Sequence, residues 1–422
     1  MATAMAMAMA ACGRCTRLSA TTAGSWLLLS IFLPLAAGYG LNDFLAALGN
    51  QDIGYHEVQG DVVLNGSLPP ITSNHLTLVG RAPGGRRPVI DGAFESSHVT
   101  LVGKAPAGSR AYTLTLKNLE FVNFNGTQPI FSLLGHDIDI QDCIFRANRA
   151  IGGSGGSVVY IQSGNVKISR CFFIGNQAGT GGAVYSMSAG RVVIESTVFR
   201  DNQVTGMRGR GEGGGVYLLF ADLYTISNCT FEGNQVDGLG GGMAAVGSSR
   251  GEIVGSSFLR NSAYSTERAY KSYATGGAID IYGDNVTIIS GCTFTGNKAE
   301  GRRGGAVSLS MYQAEVTISG SKFEQNAAGK YGGAVGVRLV TSYFTEAKRG
   351  VALYDGGPPR SRVKFCRGNT YSRNVAGTSG AENIYVDMRN SSVSGVTFCP
   401  SEPPLALIEA ETGTVNITCA SC

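Results

Sequence analysis

The chain repeats one pattern of apolar and polar positions seven times. Each copy has an isoleucine, a small residue three positions later, a phenylalanine two positions after that, and an asparagine three positions further on. The phenylalanine and asparagine pairs are Phe145/Asn148, Phe173/Asn176, Phe199/Asn202, Phe231/Asn234, Phe258/Asn261, Phe294/Asn297 and Phe323/Asn326, with Tyr371/Asn374 as a weaker eighth copy. A Gly-Gly pair precedes each of the six phenylalanines from Phe173 onward, and its second glycine lies 17 or 18 residues before the phenylalanine. The distance from the preceding asparagine to that glycine varies from 6 to 16 residues.

This repeat predicts stacked coils of short strands. A strand sends residues i and i+2 to the same face, so each phenylalanine and the small residue before it point inward. A period of about 27 residues is typical of solenoids, in which one unit alone cannot bury its apolar face. Stacking coils in register buries a continuous core. The sequence therefore predicts an all-β parallel β-helix with inward rows of isoleucine, phenylalanine and small residues.

The asparagine and glycine positions indicate turns between these strands. Asparagine bonds nearby backbone through its side chain and tolerates left-handed geometry. A Gly-Gly pair suits a tight corner where a Cβ would clash. We therefore expect structural roles for the repeat residues. In one copy, either Ile288 or Ile289 can occupy the inward isoleucine position.

The Gly-Gly-Ala-Val of residues 181–184, alternating with Phe-x-x-Asn, resembles the repeat of the chlamydial polymorphic outer-membrane proteins. Those proteins lie within the pectin-lyase-like superfamily, and the similarity covers residues 118–384. The resemblance implies a right-handed parallel β-helix solenoid. The chain departs from the bacterial proteins because it has no series of alternating strands of about ten residues like those of their membrane barrel.

The regions outside the repeat predict the domain organisation. Residues 1–38 have the basic, apolar and small-residue regions of a secretory signal peptide, with a retained signal-anchor as the alternative. Residues 39–60 form an N-terminal cap, residues 61–400 the β-helix, and residues 401–422 a cysteine-containing tail. No later segment has the roughly 20 apolar residues that span a membrane. We therefore expect a secreted, extracellular or cell-surface protein without an integral membrane span after signal removal.

The predicted cap contains a short helix. Leu41, Phe44, Leu45 and Leu48 lie on one helical face. A bare solenoid end exposes strand edges, so this face is expected to cover the first coil.

The variable segments between each asparagine and the next Gly-Gly pair leave the same corner of the helix. They therefore share one edge, which we call the loop edge. It carries nine cations and four anions, a balance of +5, in a chain of formal net charge +4. The residues predicted to bind there are Arg208, Arg210, Arg268, Lys271, Arg302, Arg303, Lys330, Tyr270 and Tyr273. A basic edge with aromatic residues suits an acidic polysaccharide or an acidic protein surface. Alternatively, these residues are charged only because loops are solvated.

The sequence supports an enzyme less well than a binding protein. Polysaccharide cleavage needs two carboxylates about 5–9.5 Å apart. Asp139 and Glu252 are four coils apart, about 19 Å by the strand spacing, whereas Asp280 and Asp284 lie within one coil and are the alternative catalytic pair. The four histidines show no metal-ligand spacing. We therefore predict no cofactor and no metal, and keep a polysaccharide lyase or hydrolase as the second hypothesis.

Cysteines and glycosylation motifs fit a secreted protein. Four cysteines, Cys143, Cys171, Cys229 and Cys292, fall in the inward row of small residues, where Cys143 and Cys171 either bond or simply pack. The four at the C-terminal end, Cys366, Cys399, Cys419 and Cys422, are the better disulfide candidates, with a zinc site as the alternative. Asn-x-Ser/Thr motifs occur at Asn65, Asn125, Asn228, Asn285, Asn390 and Asn416.

Together these features predict a structural or adhesive binding protein. Its expected partner is an acidic polysaccharide or an extracellular or surface protein, held through the loop edge. Nucleic acid is not expected, because no nucleic-acid-binding module is present. A third interpretation is the passenger-like part of a protein whose membrane anchor lies outside this chain.

Overall fold

A computed structural model of the chain describes a series of stacked coils. The described residues are 39–50, 52–66, 68–69, 71, 74–93, 112–151, 155–156, 158–206, 211–267, 271, 273–311, 314–339, 361–377, 382–387, 394–398 and 406–409. The predicted signal peptide, residues 1–38, lies outside them, as does most of the predicted tail.

From Tyr112 onward the coils pass through four parallel sheets, which we number in chain order around the coil; the strands before Tyr112 belong to the first two sheets. Sheet 1 contains Tyr55–Val58, His75–Gly80, Tyr112–Lys117, His136–Gln141, Val166–Ser169, Arg191–Glu195, Leu223–Ser227, Arg250–Val254, Val286–Ser290, Glu315–Ser319, Ser361–Phe365 and Ser394–Phe398. Sheet 2 contains Val62–Val63, Val89–Asp91, Glu120–Val122, Ile144–Arg146, Phe172–Ile174, Val198–Arg200, Thr230–Glu232, Ser257–Leu259, Thr293–Thr295, Lys322–Glu324 and Thr370–Ser372.

The other two sheets complete the coil on either side of the variable loops. Sheet 3 contains Asn125–Gly126, Arg149–Ala150, Gln177–Ala178, Gln203–Val204, Gln235–Leu239, Ser262–Tyr264, Lys298–Ala299, Ala327–Ala328 and Val375–Ala376, with Gly211–Glu212 paired beside the fifth of these. Sheet 4 contains Phe131–Leu134, Val159–Gln162, Val184–Met187, Val216–Leu219, Met243–Val246, Ile279–Tyr282, Val307–Met311, Val335–Leu339, Ile384–Asp387 and Ala406–Glu409. The structure is thus a parallel β-solenoid of about nine turns, and the predicted fold class is confirmed.

The phenylalanines form one inward row. Phe145 lies directly opposite Phe173 in sheet 2, and neighbouring ring centroids from Phe121 to Tyr371 are 4.8–5.2 Å apart. The almost fully buried rings are those of Phe121, Phe145, Phe173, Phe199, Phe231, Phe258, Phe294 and Phe323. Stacked aromatic pairs add about 0.5–1.5 kcal/mol each beyond the area they bury. The predicted phenylalanine row is confirmed, and it begins one coil before the first Phe-x-x-Asn copy.

The isoleucines form the adjacent inward row in sheet 1. Ile253 lies opposite Ile289, which is fully buried, whereas Ile288 faces outward and is half-buried. The inward position therefore belongs to Ile289.

The asparagines form a continuous hydrogen-bonded ladder, which sequence reasoning missed. Asn261 donates through Nδ2 to Oδ1 of Asn297 at 3.0 Å and to the Phe231 carbonyl oxygen at 2.9 Å. Its own Oδ1 accepts from Nδ2 and the backbone nitrogen of Asn234 at 2.9 and 3.0 Å. Each of these asparagines thus joins successive coils.

The ladder extends over every copy of the repeat. Asn176 donates to Oδ1 of Asn202 at 2.9 Å, and Asn202 donates to Oδ1 of Asn234 at the same distance. At the other end, Asn326 donates to Oδ1 of Asn374 at 3.0 Å.

Our expectation that each repeat asparagine bonds the backbone of its own turn was wrong. The buried members of the ladder are Asn148, Asn176, Asn202, Asn234, Asn261, Asn297 and Asn326. Each side chain bonds the coils before and after its own, because a buried amide needs partners for both its oxygen and its nitrogen.

The left-handed turn residue is not the asparagine, as we had expected, but the residue before it. Arg260 and Gln325 have φ of 51° and 57° at this position, before Asn261 and Asn326, and Gly296 has 65°. In the copies that end at Asn176 and Asn202, Gly175 and Asp201 take this role, with φ of 62° and 55°. The asparagine is free of that role because its side chain must point inward to reach the next coil.

The Gly-Gly corners are required by close packing. Gly276 has φ of 65°, and a Cβ on Gly277 would lie 2.1 Å from the Gly305 carbonyl oxygen and 2.6 Å from the Lys298 backbone. A side chain there would prevent successive coils from stacking.

The N-terminal helix covers the first coil as predicted. It spans Leu41–Gly49, and Asp43 accepts a hydrogen bond from the Gly40 backbone nitrogen at 2.9 Å. Phe44 and Leu48 are buried in the main core. A short 3₁₀ turn follows at Pro83–Gly85. Within the described ranges, no helix has the length and apolar character to cross a membrane.

Candidate binding edge and buried carboxylates

The loop edge runs along the boundary between sheets 3 and 4, where the variable segments lie. Of its predicted binding residues, Lys271, Tyr273, Arg302, Arg303 and Lys330 are described. The others, Arg208, Arg210, Arg268 and Tyr270, lie outside the described residues.

The described cations are concentrated in one part of the edge. Lys271, Lys298, Arg302, Arg303 and Lys330 belong to three successive coils and form what we call the basic cluster. Three coils extend over about 10 Å of the helix axis, at about 4.8 Å per strand step. Arg149 shares a row with Lys298 but is five strand steps away. Among its described residues, the edge is therefore most basic in its C-terminal half.

Most of the cluster has no acidic partner. Lys298 pairs with Glu300, with Nζ 3.4 Å from Oε1. Lys271, Arg302 and Lys330 are exposed and form no ion pair with any described residue. By contrast, cations on the outer faces of sheets 1 and 2 often pair with a neighbour, as Arg250 does with Glu252 at 2.7 Å. The cluster therefore keeps positive charge available to a ligand.

A small surface pocket of about 240 Å³ opens within the basic cluster. It is lined by Lys271, Lys298, Ala299, Glu300, Ala327, Ala328 and Gly329. Its lining combines small residues with the charged side chains of two lysines and a glutamate.

Aromatic rings accompany these cations. The side chain of Tyr273 is 60 % exposed. Tyr331 stacks on Tyr385 with centroids 4.2 Å apart, and Nζ of Lys330 lies 4.7 Å from the Tyr331 centroid. The exposed ring of Tyr273 can offer a flat face to a sugar or an apolar group, whereas the ring of Tyr331 is engaged by Tyr385 and Lys330.

Arg303 differs from the exposed edge cation that we predicted. It is partly buried, and its Cβ lies 2.9 Å from where a Cβ on Gly336 would be, over the outer face of sheet 4. Its Nε is buried without a hydrogen-bond partner. Burial, and then the charge of Arg338, lower the pKa of Arg303 to about 10.

Asp280 also lies on the outer face of sheet 4, since its strand neighbours Ile279 and Ile281 face the core. It is nevertheless buried, and accepts a 2.6 Å hydrogen bond from Oγ1 of Thr275. Burial raises its pKa to about 6, although hydrogen bonds from Thr275 and Ser308 oppose the rise.

Asp284 faces the opposite way, into the solenoid. Its Oδ2 accepts a 2.9 Å hydrogen bond from the Tyr224 hydroxyl, and its Oδ1 accepts from the Ser248 backbone nitrogen at 2.7 Å. Burial raises its pKa to about 7. Asp280 and Asp284 therefore do not converge on one site, and the structure does not assemble them as a catalytic pair.

Tyr224 reaches Asp284 across an intervening coil. In the inward row, Tyr224 lies opposite Gly251, and Gly251 lies opposite Thr287. A Cβ on Gly251 would lie 2.0 Å from Cζ of Tyr224. The lone glycine in an otherwise bulky inward row was the sequence signal for this contact.

The other predicted carboxylates are separated as expected. The register places Asp139 and Glu252 four strand steps apart in sheet 1. In the part of the chain that the structure describes, no group of three or more histidine, cysteine or acidic residues is arranged to hold a metal ion.

The four inward cysteines are free thiols. Cys143 and Cys171 pack in adjacent coils, and the Cys143 backbone nitrogen donates to Sγ of Cys171 at 3.4 Å. Burial raises the pKa of Cys229 to about 12 and that of Cys292 to about 11. Of the C-terminal cysteines, Cys399, Cys419 and Cys422 lie outside the described residues, so disulfides there stay a prediction.

The glycosylation motifs differ in exposure. Asn65, Asn228 and Asn285 are exposed, and Asn125 is half-buried. Asn390 and Asn416 lie outside the described residues. Glycosylation itself stays a prediction.

Comparison with known proteins bears on the fold. Residues 106–261 match the family model described as a right-handed beta helix region. The chain folds as a right-handed parallel β-solenoid. No curated protein and no solved structure matched the chain. The family match does not test the resemblance to the chlamydial repeat in particular, which stays a prediction.

Proposed function

We propose that this β-solenoid is a secreted or cell-surface protein that binds an acidic polysaccharide along the loop edge. The observation that carries the proposal is the basic cluster, where three exposed cations in successive coils have no acidic partner among the described residues. Unpaired cations in successive coils match a polymer that carries repeated anionic groups. An acidic protein surface offers similar charges and is the alternative partner.

The pocket and the tyrosines favour a polysaccharide over a simple charged surface. Ala327, the partly exposed alanine of the pocket lining, can contact the C–H face of a sugar ring. Lys271, which forms no ion pair with a described residue, can pair with an acidic substituent, while Tyr273 supplies an exposed ring. Such a shallow, partly apolar and partly charged site suits one sugar residue within a longer chain.

Binding can be measured by calorimetry with a carboxylated, a sulfated and a neutral polysaccharide at about 0.05 M and about 0.5 M salt. We expect salt-sensitive binding of the acidic polymers and none of the neutral one. The triple substitution Lys271→Ala/Arg302→Ala/Lys330→Ala should weaken binding about tenfold, since three exposed contacts together contribute about 0.6–3 kcal/mol at about 0.2–1 kcal/mol each.

The matched control removes three cations elsewhere, at Lys117, Arg191 and Arg367 on other parts of the solenoid surface. It changes the net charge equally and should leave most of the affinity intact. An equal loss in both triple variants would mean that only net charge matters, and would reject the loop edge as the site.

A polysaccharide lyase or hydrolase is the second candidate, and Asp280 is the observation that favours it. Its raised pKa of about 6 suits a general acid near neutral pH. New chain ends on incubation with polymer, abolished by Asp280→Asn, would support catalysis. Because Asp284 faces the core, it has no part in this candidate.

A further inference from the structure

We propose that Arg303, the partly buried member of the basic cluster, is the anchor of a carboxylate-binding subsite on the outer face of sheet 4. This inference rests on the proposed function, because the carboxylate would belong to the polymer bound along the loop edge. It assigns one partly buried cation to a single anionic substituent, distinct from the diffuse attraction of the exposed cations.

The first argument is the unsatisfied guanidinium. Arg303 forms no side-chain hydrogen bond or ion pair with a described residue, and its Nε is buried. The side chain is still partly exposed, so its terminal nitrogens are the part that a ligand can reach. A half-buried charge without a hydrogen-bonded counterion is costly. A bound anion would remove that cost.

The second argument is the shape of the site. The missing side chain at Gly336 leaves room for Arg303 against the sheet, and the Arg303 backbone forms a parallel bridge with Tyr331. Tyr331 is in turn stacked on Tyr385. These contacts fix the base of the arginine, and a fixed planar guanidinium pairs with a carboxylate through two parallel hydrogen bonds.

The third argument is charge. The groups whose charges act on Arg303 are Arg338, Asp280, Asp387 and Tyr385. Among them, Asp280 has a pKa raised by burial to about 6 and is held by neutral donors from Thr275 and Ser308. When ionised, it competes with a ligand for the charge of Arg303. When protonated, it does not. Binding at the subsite should therefore strengthen as the pH falls through about 6.

The test compares Arg303→Met with Arg302→Met, its exposed neighbour of equal charge. Calorimetry with a uronate oligosaccharide at about pH 5 should show about tenfold weaker binding for Arg303→Met, the effect of one hydrogen-bonded charge pair. Arg302→Met should weaken binding only about twofold. Equal losses in the two variants would overturn the subsite and leave the loop edge standing.

The Asp280→Asn variant tests the same subsite through an expected increase in affinity. It should bind the uronate several-fold more tightly than wild type at about pH 7.5 and lose the pH dependence. A damaged fold cannot produce tighter binding, so this result is independent of stability. Unchanged affinity and pH dependence would overturn the role of Asp280. A sulfated oligosaccharide that depends equally on Arg303 would overturn the preference for carboxylate.

Sodium glucuronate separates the subsite from the proposed function. It should raise the unfolding temperature of wild type above that in sodium chloride of equal ionic strength, and should not do so for Arg303→Met. If no acidic polymer binds but this difference holds, the proposed function fails and the subsite stands. If the difference is absent, the subsite fails.

Discussion

The buried carboxyl group of Asp284 should make the stability of the solenoid depend on pH. It accepts hydrogen bonds from Tyr224 and Ser248, and no cation contributes to its electrostatic surroundings among the described residues. Burial without a cation favours the neutral acid and raises the pKa from 3.8 to about 7.

The direction in which stability changes with pH depends on whether the folded or the unfolded state binds the proton more tightly. Between these two pKa values the folded state holds a proton that the unfolded state has released. The free energy of unfolding is therefore greatest below the unfolded value and falls as the pH rises through about 7. Each pH unit is worth about 1.4 kcal/mol, so about 2 kcal/mol is lost between about pH 5 and pH 7, and about 3 kcal/mol by about pH 8.5.

Asp284→Asn removes this titration while keeping a side chain of the same shape. Guanidinium unfolding of wild type and variant at about pH 5 and about pH 8.5 should show their difference in unfolding free energy moving by about 3 kcal/mol in favour of the variant. Asp280, His56 and His136, whose pKa values also shift on burial, are common to both proteins and cancel.

The same substitution at exposed Asp222 controls for the loss of one acidic group. Wild type and Asp284→Asn curves that stay parallel across this pH range would refute the reasoning. They would mean that water or a local opening solvates the carboxylate in the folded protein.

Three further predictions concern the interior. Asn261→Ala removes four buried hydrogen bonds and should cost about 4 kcal/mol in urea unfolding at about 1 kcal/mol each; a cost below about 1 kcal/mol would show that the ladder is dispensable. Gly251→Ala places a Cβ 2.0 Å from the Tyr224 ring and should destabilise the fold by about 1–3 kcal/mol, with recovery in the Gly251→Ala/Tyr224→Val double variant; additive losses would contradict the clash. The four inward thiols should resist a thiol reagent until the chain unfolds, because each is at most 1 % exposed and a reagent cannot reach it; rapid labelling of the native protein at these cysteines would contradict their burial.

The inward rows could be predicted from the sequence because each coil repeats the same physical demand. A residue opposite Phe173 or Ile253 must be apolar to fill the same place in the core, so the repeat itself reveals the row. The helix Leu41–Gly49 was predictable for a similar reason, since its apolar face covers the open end of the first coil.

The ladder and the buried carboxylates could not be predicted in this way. The pattern marks Asn176, Asn202 and Asn326 as repeated positions but does not say whether their side chains bond their own turn or the next coil. The alternation of strand residues places Asp280 on the outer face of sheet 4, which would leave it exposed. In the structure it is buried, because the loop residues Thr275 and Arg303 lie beside it. The path of a loop depends on contacts that differ from coil to coil, so the repeat does not predict it.

The solenoid separates the residues that hold the coils together from those that can meet a ligand. Phenylalanine, asparagine and glycine positions are constrained in every coil, because each contacts its equivalents above and below. The separation between each repeat asparagine and the second glycine of the next Gly-Gly pair varies from 6 to 16 residues without altering the register of the sheets. Charge can therefore collect on the loop edge, as in the basic cluster, at little cost to the core. Arg303 and Asp280 lie where the two regions meet, so the rigid outer face of sheet 4 can hold a group that the variable loop supplies.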